Sequence, residues 1–191
     1  SFVIERTIHE LFRRLLVDGF QPNARGPIVQ VAAGGYHTCV LDSAGEVRCW
    51  GYNAYGQLGY GHANNLGDNP NEVNGAMNAS VIEVRKIAAG DYHTCALRHD
   101  GSVRCWGYNA YGQLGTGDTQ NRRNGVNNAF GVPALGTGRH AIDVATGGYS
   151  TCVLLDDNSI KCWGYNGGGT LGLGDTAHRG DGPGEMGDAL P

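Results

Sequence analysis

Apolar residues along this chain come in short runs, broken by glycine and polar turn residues, and the runs recur. Thr38 to Leu41 and Glu46 to Trp50 are apolar or β-branched stretches separated by Asp42, Ser43, Ala44 and Gly45, a turn-forming cluster. A second such stretch carries His99-Asp100-Gly101 at the turn, and Asp-Gly is a strong hairpin signal. The third has Asp156-Asp157-Asn158 in that place. The pattern predicts three β-hairpins.

The hairpins sit inside a longer repeat. Val31-Ala-Ala-Gly-Gly-Tyr-His-Thr-Cys-Val-Leu41 leads to Val47-Arg-Cys-Trp-Gly-Tyr-Asn-Ala-Tyr-Gly-Gln-Leu-Gly59. Ile87 to Leu97 with Val103 to Gly115, and Val144 to Leu154 with Ile160 to Gly172, follow the same course. The first cysteines fall at 39, 95 and 152, a period of 56 and then 57 residues. A unit of this length, made of short strand-like pieces, suits a propeller blade better than a helical solenoid. Blades are expected around 28–84, 85–141 and 142–191, within an arc spanning 21–191. The small residues of the Ala-Ala-Gly-Gly and Trp-Gly-Tyr-Asn stretches suit the crowded passage near a propeller axis.

Residues 1–20 differ in kind. Phe2 to Val17 has a helical period, with Ile4, Ile8, Leu11, Phe12 and Leu15 on one face and Glu5, Arg6, Arg13 and Arg14 around it. Ser1 and Gly19 suit its two ends. This amphipathic stripe is a candidate partner-binding surface; packing on the first blade, or lying on a membrane surface, are the other readings. It lacks the uncharged apolar stretch of a signal peptide.

Composition narrows the function. Glycine, at 33 of 191 residues, is more than twice its usual share, which fits many tight turns. A net charge of −4 argues against a nucleic-acid partner, and no apolar run is long enough to span a membrane.

The repeated pattern Ala-Ala-Gly-x-x-His-Thr-x-x-Leu-x-x-x-Gly-x-Val-x-x-Trp-Gly-x-Asn-x-x-Gly-Gln-Leu-Gly resembles the repeat of the regulator of chromosome condensation, over roughly residues 28–191. The third unit departs from it: Ser150 replaces the histidine, and Gly167, Gly168, Gly169 and Thr170 replace Ala-Tyr-Gly-Gln. The resemblance implies four-stranded blades in a seven-bladed ring. The expected fold is therefore all-β: a partial β-propeller of about three four-stranded blades, with a short N-terminal amphipathic α-helix. Three blades leave sheet faces uncovered. Either further blades in a longer protein, or oligomerisation or a partner surface, is expected to cover them. Members of the family act as guanine-nucleotide exchange factors, as ligase-associated modules or as an enzyme inhibitor, and fold alone does not choose among these.

Six cysteines form three pairs: Cys39 with Cys49, Cys95 with Cys105, and Cys152 with Cys162. Each pair brackets its hairpin turn symmetrically, so its members face one another across antiparallel strands at disulfide range. Three intra-blade disulfides are expected, each closing a short loop for roughly 2.5–3 kcal/mol. Free buried thiols are one alternative. Metal ligation through His37-x-Cys39 and His93-x-Cys95 is another, weakened because Ser150 would lose a ligand while both cysteines remain. The nuclear members, as the resemblance implies, do not rely on such pairs. Disulfides would place the chain in an oxidising, non-cytosolic compartment: secreted, cell surface, periplasm or organelle lumen.

Trp50, Trp106 and Trp163 read as blade packing, and His37 and His93 as bonding backbone groups between blades. No nucleophile motif or phosphate loop is present, no metal or cofactor is expected, and the scattered aspartates Asp118, Asp156, Asp157, Asp175, Asp181 and Asp188 read as turn-formers. The expected function is a non-enzymatic protein-interaction or structural module, an exported accessory subunit or part of a longer propeller. Enzyme inhibition or nucleotide exchange is the alternative. Contacts are expected on the N-terminal stripe and on the long inter-blade segments 60–84 and 116–143, with Met77, Phe130 and Leu135 as apolar points.

Overall fold

The computed structural model describes residues 26–70, 72, 83–123 and 130–191. The amphipathic segment, with Ile4, Ile8, Leu11, Phe12 and Leu15, lies outside these residues, as does Met77.

Three antiparallel sheets follow one another. The first holds β1 (Ile28–Ala33), β2 (His37–Asp42) and β3 (Val47–Gly51); the second, β4 (Val84–Ala89), β5 (His93–Arg98) and β6 (Val103–Gly107); the third, β7 (Ala141–Thr146), β8 (Ser150–Leu155) and β9 (Ile160–Gly164). Each is an up-and-down meander in chain order. The register repeats too, with a bulge near the start of β1, β4 and β7. Asp42, Asp100 and Asp157 each accept a backbone N–H of their hairpin turn through Oδ1, at 2.9–3.0 Å. The turns also need one left-handed residue: Gly45 and Gly101 supply it in the first two, and Asn158, at φ 67°, in the third.

The expected fourth strand is reduced to isolated bridges. The chain returning beyond β3, β6 and β9 touches the sheet edge at Gly51–Leu66, Gly107–Arg122, Cys105–Gly131 and Gly164–Arg179. Gly51, Gly107 and Gly164, at φ 104–110°, bend each third strand away at its end. The returning segments are held by side chains instead of a continuous ladder.

The sheets stack face to face as propeller blades. Cys39, Leu41, Val47 and Cys49 on the disulfide-bearing face of blade 1 pack against Val84, Ile87, Ala96 and Trp106 of blade 2. Cys95, Leu97, Val103 and Cys105 of blade 2 meet Val144, Val153, Leu155 and Trp163 of blade 3 in the same way. Register places each cysteine directly opposite its mate. All three pairs are joined, with Cα atoms 4.1 Å apart, and no described cysteine is free.

Two of the apolar points expected in the inter-blade segments serve packing. Phe130 lies against Trp106, with ring centroids 4.9 Å apart, and Leu135 is buried in the core between blades 2 and 3. Among the described residues no helix is long and apolar enough to cross a membrane.

Candidate functional site

The β1–β2, β4–β5 and β7–β8 turns lie at one end of the blades, opposite the hairpin turns. There the chain is drawn together by backbone bonds: Gly35 N–H donates to Gly90 O at 3.2 Å and Asp91 N–H to Gly148 O at 2.9 Å. Glycine is required at this convergence. A Cβ on Gly34 would fall 2.2 Å from Gly90 O, and one on Gly90 would fall 2.7 Å from Gly147 O.

The chain leaving each third strand comes back to the same end. Tyr52, Tyr108 and Tyr165 N–H donate to the carbonyls of Tyr36, Tyr92 and Tyr149, each at 2.9 Å. A fully buried asparagine then ties each loop. Asn109 Oδ1 accepts from Leu114 N–H at 2.9 Å, and its Nδ2 donates to Asp118 O at 2.7 Å. Asn53 and Asn166 hold Leu58 and Leu171 in the same way, at 3.0 Å each.

A relay joins each blade to the next. His37 Nε2 lies 2.7 Å from Thr94 Oγ1, which donates to Gln57 O at 2.8 Å; Trp106 Nε1–H donates to that same carbonyl at 2.8 Å. One blade on, His93, Thr151, Gln113 and Trp163 repeat it at 3.0, 2.9 and 3.0 Å. The histidines thus bond a threonine hydroxyl of the next blade, where a backbone group was expected. Burial lowers His37 to about 4 and His93 to about 3, so both rings are neutral at physiological pH.

This scaffold presents a surface of tyrosines. Tyr36, Tyr52, Tyr55, Tyr92, Tyr108, Tyr111, Tyr149 and Tyr165, all the tyrosines but Tyr60, form one connected set of ring contacts. Tyr36 and Tyr92 stack with planes 9° apart and centroids at 4.6 Å. Most other pairs meet edge to face, such as Tyr111 with Tyr149 at 5.6 Å, the arrangement favoured by the aromatic quadrupole. His178 joins the edge, 5.1 Å from Tyr165. The set still meets solvent: Tyr36 is 56% exposed, and Tyr52 and Tyr165 are 37% exposed. The Tyr36 hydroxyl, then burial, push the Tyr92 hydroxyl above the usual phenol range.

Sequence reading missed this surface. Its mark was the tyrosine recurring at fixed places in each unit, which reads as ordinary repeat packing until the turns and the returning loops are brought to one end. Among the described residues no group of three His, Cys, Asp or Glu side chains is placed to hold a metal.

Comparison with known proteins gives the lineage. One family model for the regulator of chromosome condensation (RCC1) repeat matches residues 28–57, 84–113 and 141–170. A second RCC1 repeat model matches 44–97 and 100–154, more than half of the chain. The ultraviolet-B receptor UVR8 of Arabidopsis thaliana is 35% identical over 156 residues, 80% of this chain and 33% of the receptor. Human probable E3 ubiquitin-protein ligase HERC4 is 34% identical over 155 residues, 80% of this chain and 14% of that protein. The chain thus spans a third or less of these curated relatives. Among solved structures, human WBSCR16 aligns with a TM-score of 0.61 at 26% identity, covering 90% of this chain and 38% of that one. Prp20p of Saccharomyces cerevisiae aligns with a TM-score of 0.59 at 25% identity, covering 74% and 32%. The chain belongs to the RCC1 repeat family, as a disulfide-bearing member.

Proposed function

We propose that this chain is a non-enzymatic protein-binding module that meets its partner through the tyrosine-covered end, in an oxidising compartment. The observation that carries this reading is the eight-tyrosine surface, partly open to solvent and held on rigid, cross-linked blades. Tyrosine gives large, stiff contact area at low entropic cost and is enriched at interfaces. One relative binds proteins: a structure of yeast Prp20p was described with its binding properties to Gsp1p and histones, and a second structure of the same protein has Kap60 bound to it. The ligase activity named for HERC4 is not carried over, since the match covers 14% of that protein. Three disulfides support an oxidising compartment.

Tyrosine acetylation tests the surface. The native protein is modified inside its assembly and as the free chain, then mapped by peptide mass. Protection of Tyr36, Tyr52 and Tyr165 in the assembly is expected; equal acetylation in both states overturns the reading. Intact mass with and without reduction before alkylation tests the disulfides, and equal masses would refute them. The stripe Ile4, Ile8, Leu11, Phe12 and Leu15 is a second proposed anchor. An Ile8→Asp, Leu11→Asp double variant is expected to weaken assembly, and unchanged association removes it.

A further inference from the structure

The three turns at the tyrosine end differ at one place. Blades 1 and 3 have Gly35 and Gly148 before the tyrosine, and blade 2 has Asp91. Its carboxylate sits between the two glycine turns: a Cβ on Gly35 would lie 2.7 Å from Oδ1, and one on Gly148 would lie 2.9 Å from Oδ2. The neighbours in sequence are Tyr36, Tyr92 and Tyr149, so an acidic group stands amid the rings. Its charge contributes, after burial, to raising the Tyr149 hydroxyl.

Two other carboxylates, on the returning loops, are already paired with arginines. Asp118 pairs with Arg122 and Asp175 with Arg179, each at 2.6 Å. Asp91 makes no ion pair among the described residues. Arg123, by the loop of Tyr55, donates instead to the Ala54 carbonyl at 3.4 Å. A carboxylate set among tyrosines and left without an ion pair attracts a cation and repels an anion. A chain of net charge −4 adds to that bias. A flat neutral sugar would need open ring faces, whereas most of these rings pack edge to face and Tyr36 and Tyr92 cover one another.

We infer that the tyrosine end recognises a basic segment of its protein partner, with the Asp91 carboxylate, flanked by Tyr36, Tyr92 and Tyr149, receiving an arginine or lysine side chain. This rests on the reading of that end as the contact surface and names the chemistry of what it contacts.

Calorimetric titration of the chain with octapeptides tests it: alternating glycine–arginine, glycine–lysine, glycine–serine and glycine–glutamate, with cellohexaose as a neutral sugar. The two basic peptides are expected to bind and the other three probes to give no heat. Asp91→Gly restores the residue that the flanking blades carry, so it keeps the fold, and it is expected to weaken the basic peptides about tenfold. Asp157→Asn, at the opposite end of blade 3, removes a charge of the same sign and is expected to change nothing. Equal affinity in the Asp91→Gly and parent proteins, equal loss in both variants, no binding of either basic peptide, or preferential binding of the sugar each overturns the inference. Protection of the tyrosines from acetylation in the native assembly, together with failure of the basic peptides, refutes the partner chemistry alone. Absence of protection refutes the contact surface itself.

Discussion

Blades 2 and 3 carry nearly the same strands, yet they keep different parts of the repeat. Both keep the disulfide, the tryptophan and the buried asparagine. Blade 3 has Ser150 for the histidine, Gly168 for the second loop tyrosine and Thr170 for the glutamine. The retained residues act within their own blade or reach back to the one before, as Trp163 does to Gln113. Two of the replaced ones in blade 2 face forward: His93 reaches Thr151, and Tyr111 touches Tyr149 and Tyr165 of blade 3, whereas the Gln113 side chain accepts Tyr111 N–H within its own loop. Blade 3 also exposes the disulfide-bearing face that blade 2 buries, with Ile160 64% exposed where Val103 is 1% exposed. One repeat therefore holds two sets of residues, one that builds a blade and one that joins it to the next.

Acid should separate the two sets most strongly. His37 and His93 have folded pKa values lowered below the ordinary 6.5, so their contribution is present above pH 6.5 and is lost as pH falls toward about 4 and about 3. Urea denaturation is expected to show a loss of on the order of 4 kcal/mol between pH 7 and pH 5. A His93→Ser variant, copying blade 3, should lose stability at pH 7 but show about half that slope. An unchanged slope would mean the ring is not desolvated.

Next in size, Asn109→Ala and Asn166→Ala should each cost about 3 kcal/mol, because each strips partners from buried backbone groups. Near-equal losses are expected, since both residues serve their own loops; a much milder Asn166 variant would break the comparison. Replacing both cysteines of a pair by serine should cost about 2.5 kcal/mol. The Cys95/Cys105 variant should suffer more than the Cys152/Cys162 variant, because only the former leaves hydroxyls fully buried. The smallest effect is expected from Tyr111→Gly, about 1 kcal/mol, as the rings of Tyr149 and Tyr165 lose one edge-to-face neighbour.

Much of this was legible in the sequence. Hairpins, blade order and cysteine register followed from positions equidistant about turns, which is local geometry. The packing role of Trp106 and Trp163 followed from their size and repetition. The reduction of the fourth strand to bridges did not follow, because the returning segments carry no alternation that separates a ladder from a loop pinned by Asn53, Asn109 or Asn166. Nor did the threonine partners of His37 and His93, which lie a whole repeat away. The tyrosine end was hidden for the same reason: Tyr36, Tyr92 and Tyr149 become neighbours only when successive turns converge.

The relay from His37 through Thr94 to Gln57 also gives the stack a direction. The face that offers the histidine and the glutamine carbonyl differs from the face that offers the threonine and the tryptophan, so every blade has a head and a tail. Two copies related by a two-fold axis would set head against head and could not reproduce this contact. An association through the blade faces that reproduces this contact is therefore heterologous, with one chain's tail on the next chain's head, and it ends only where a ring closes or a different surface intervenes.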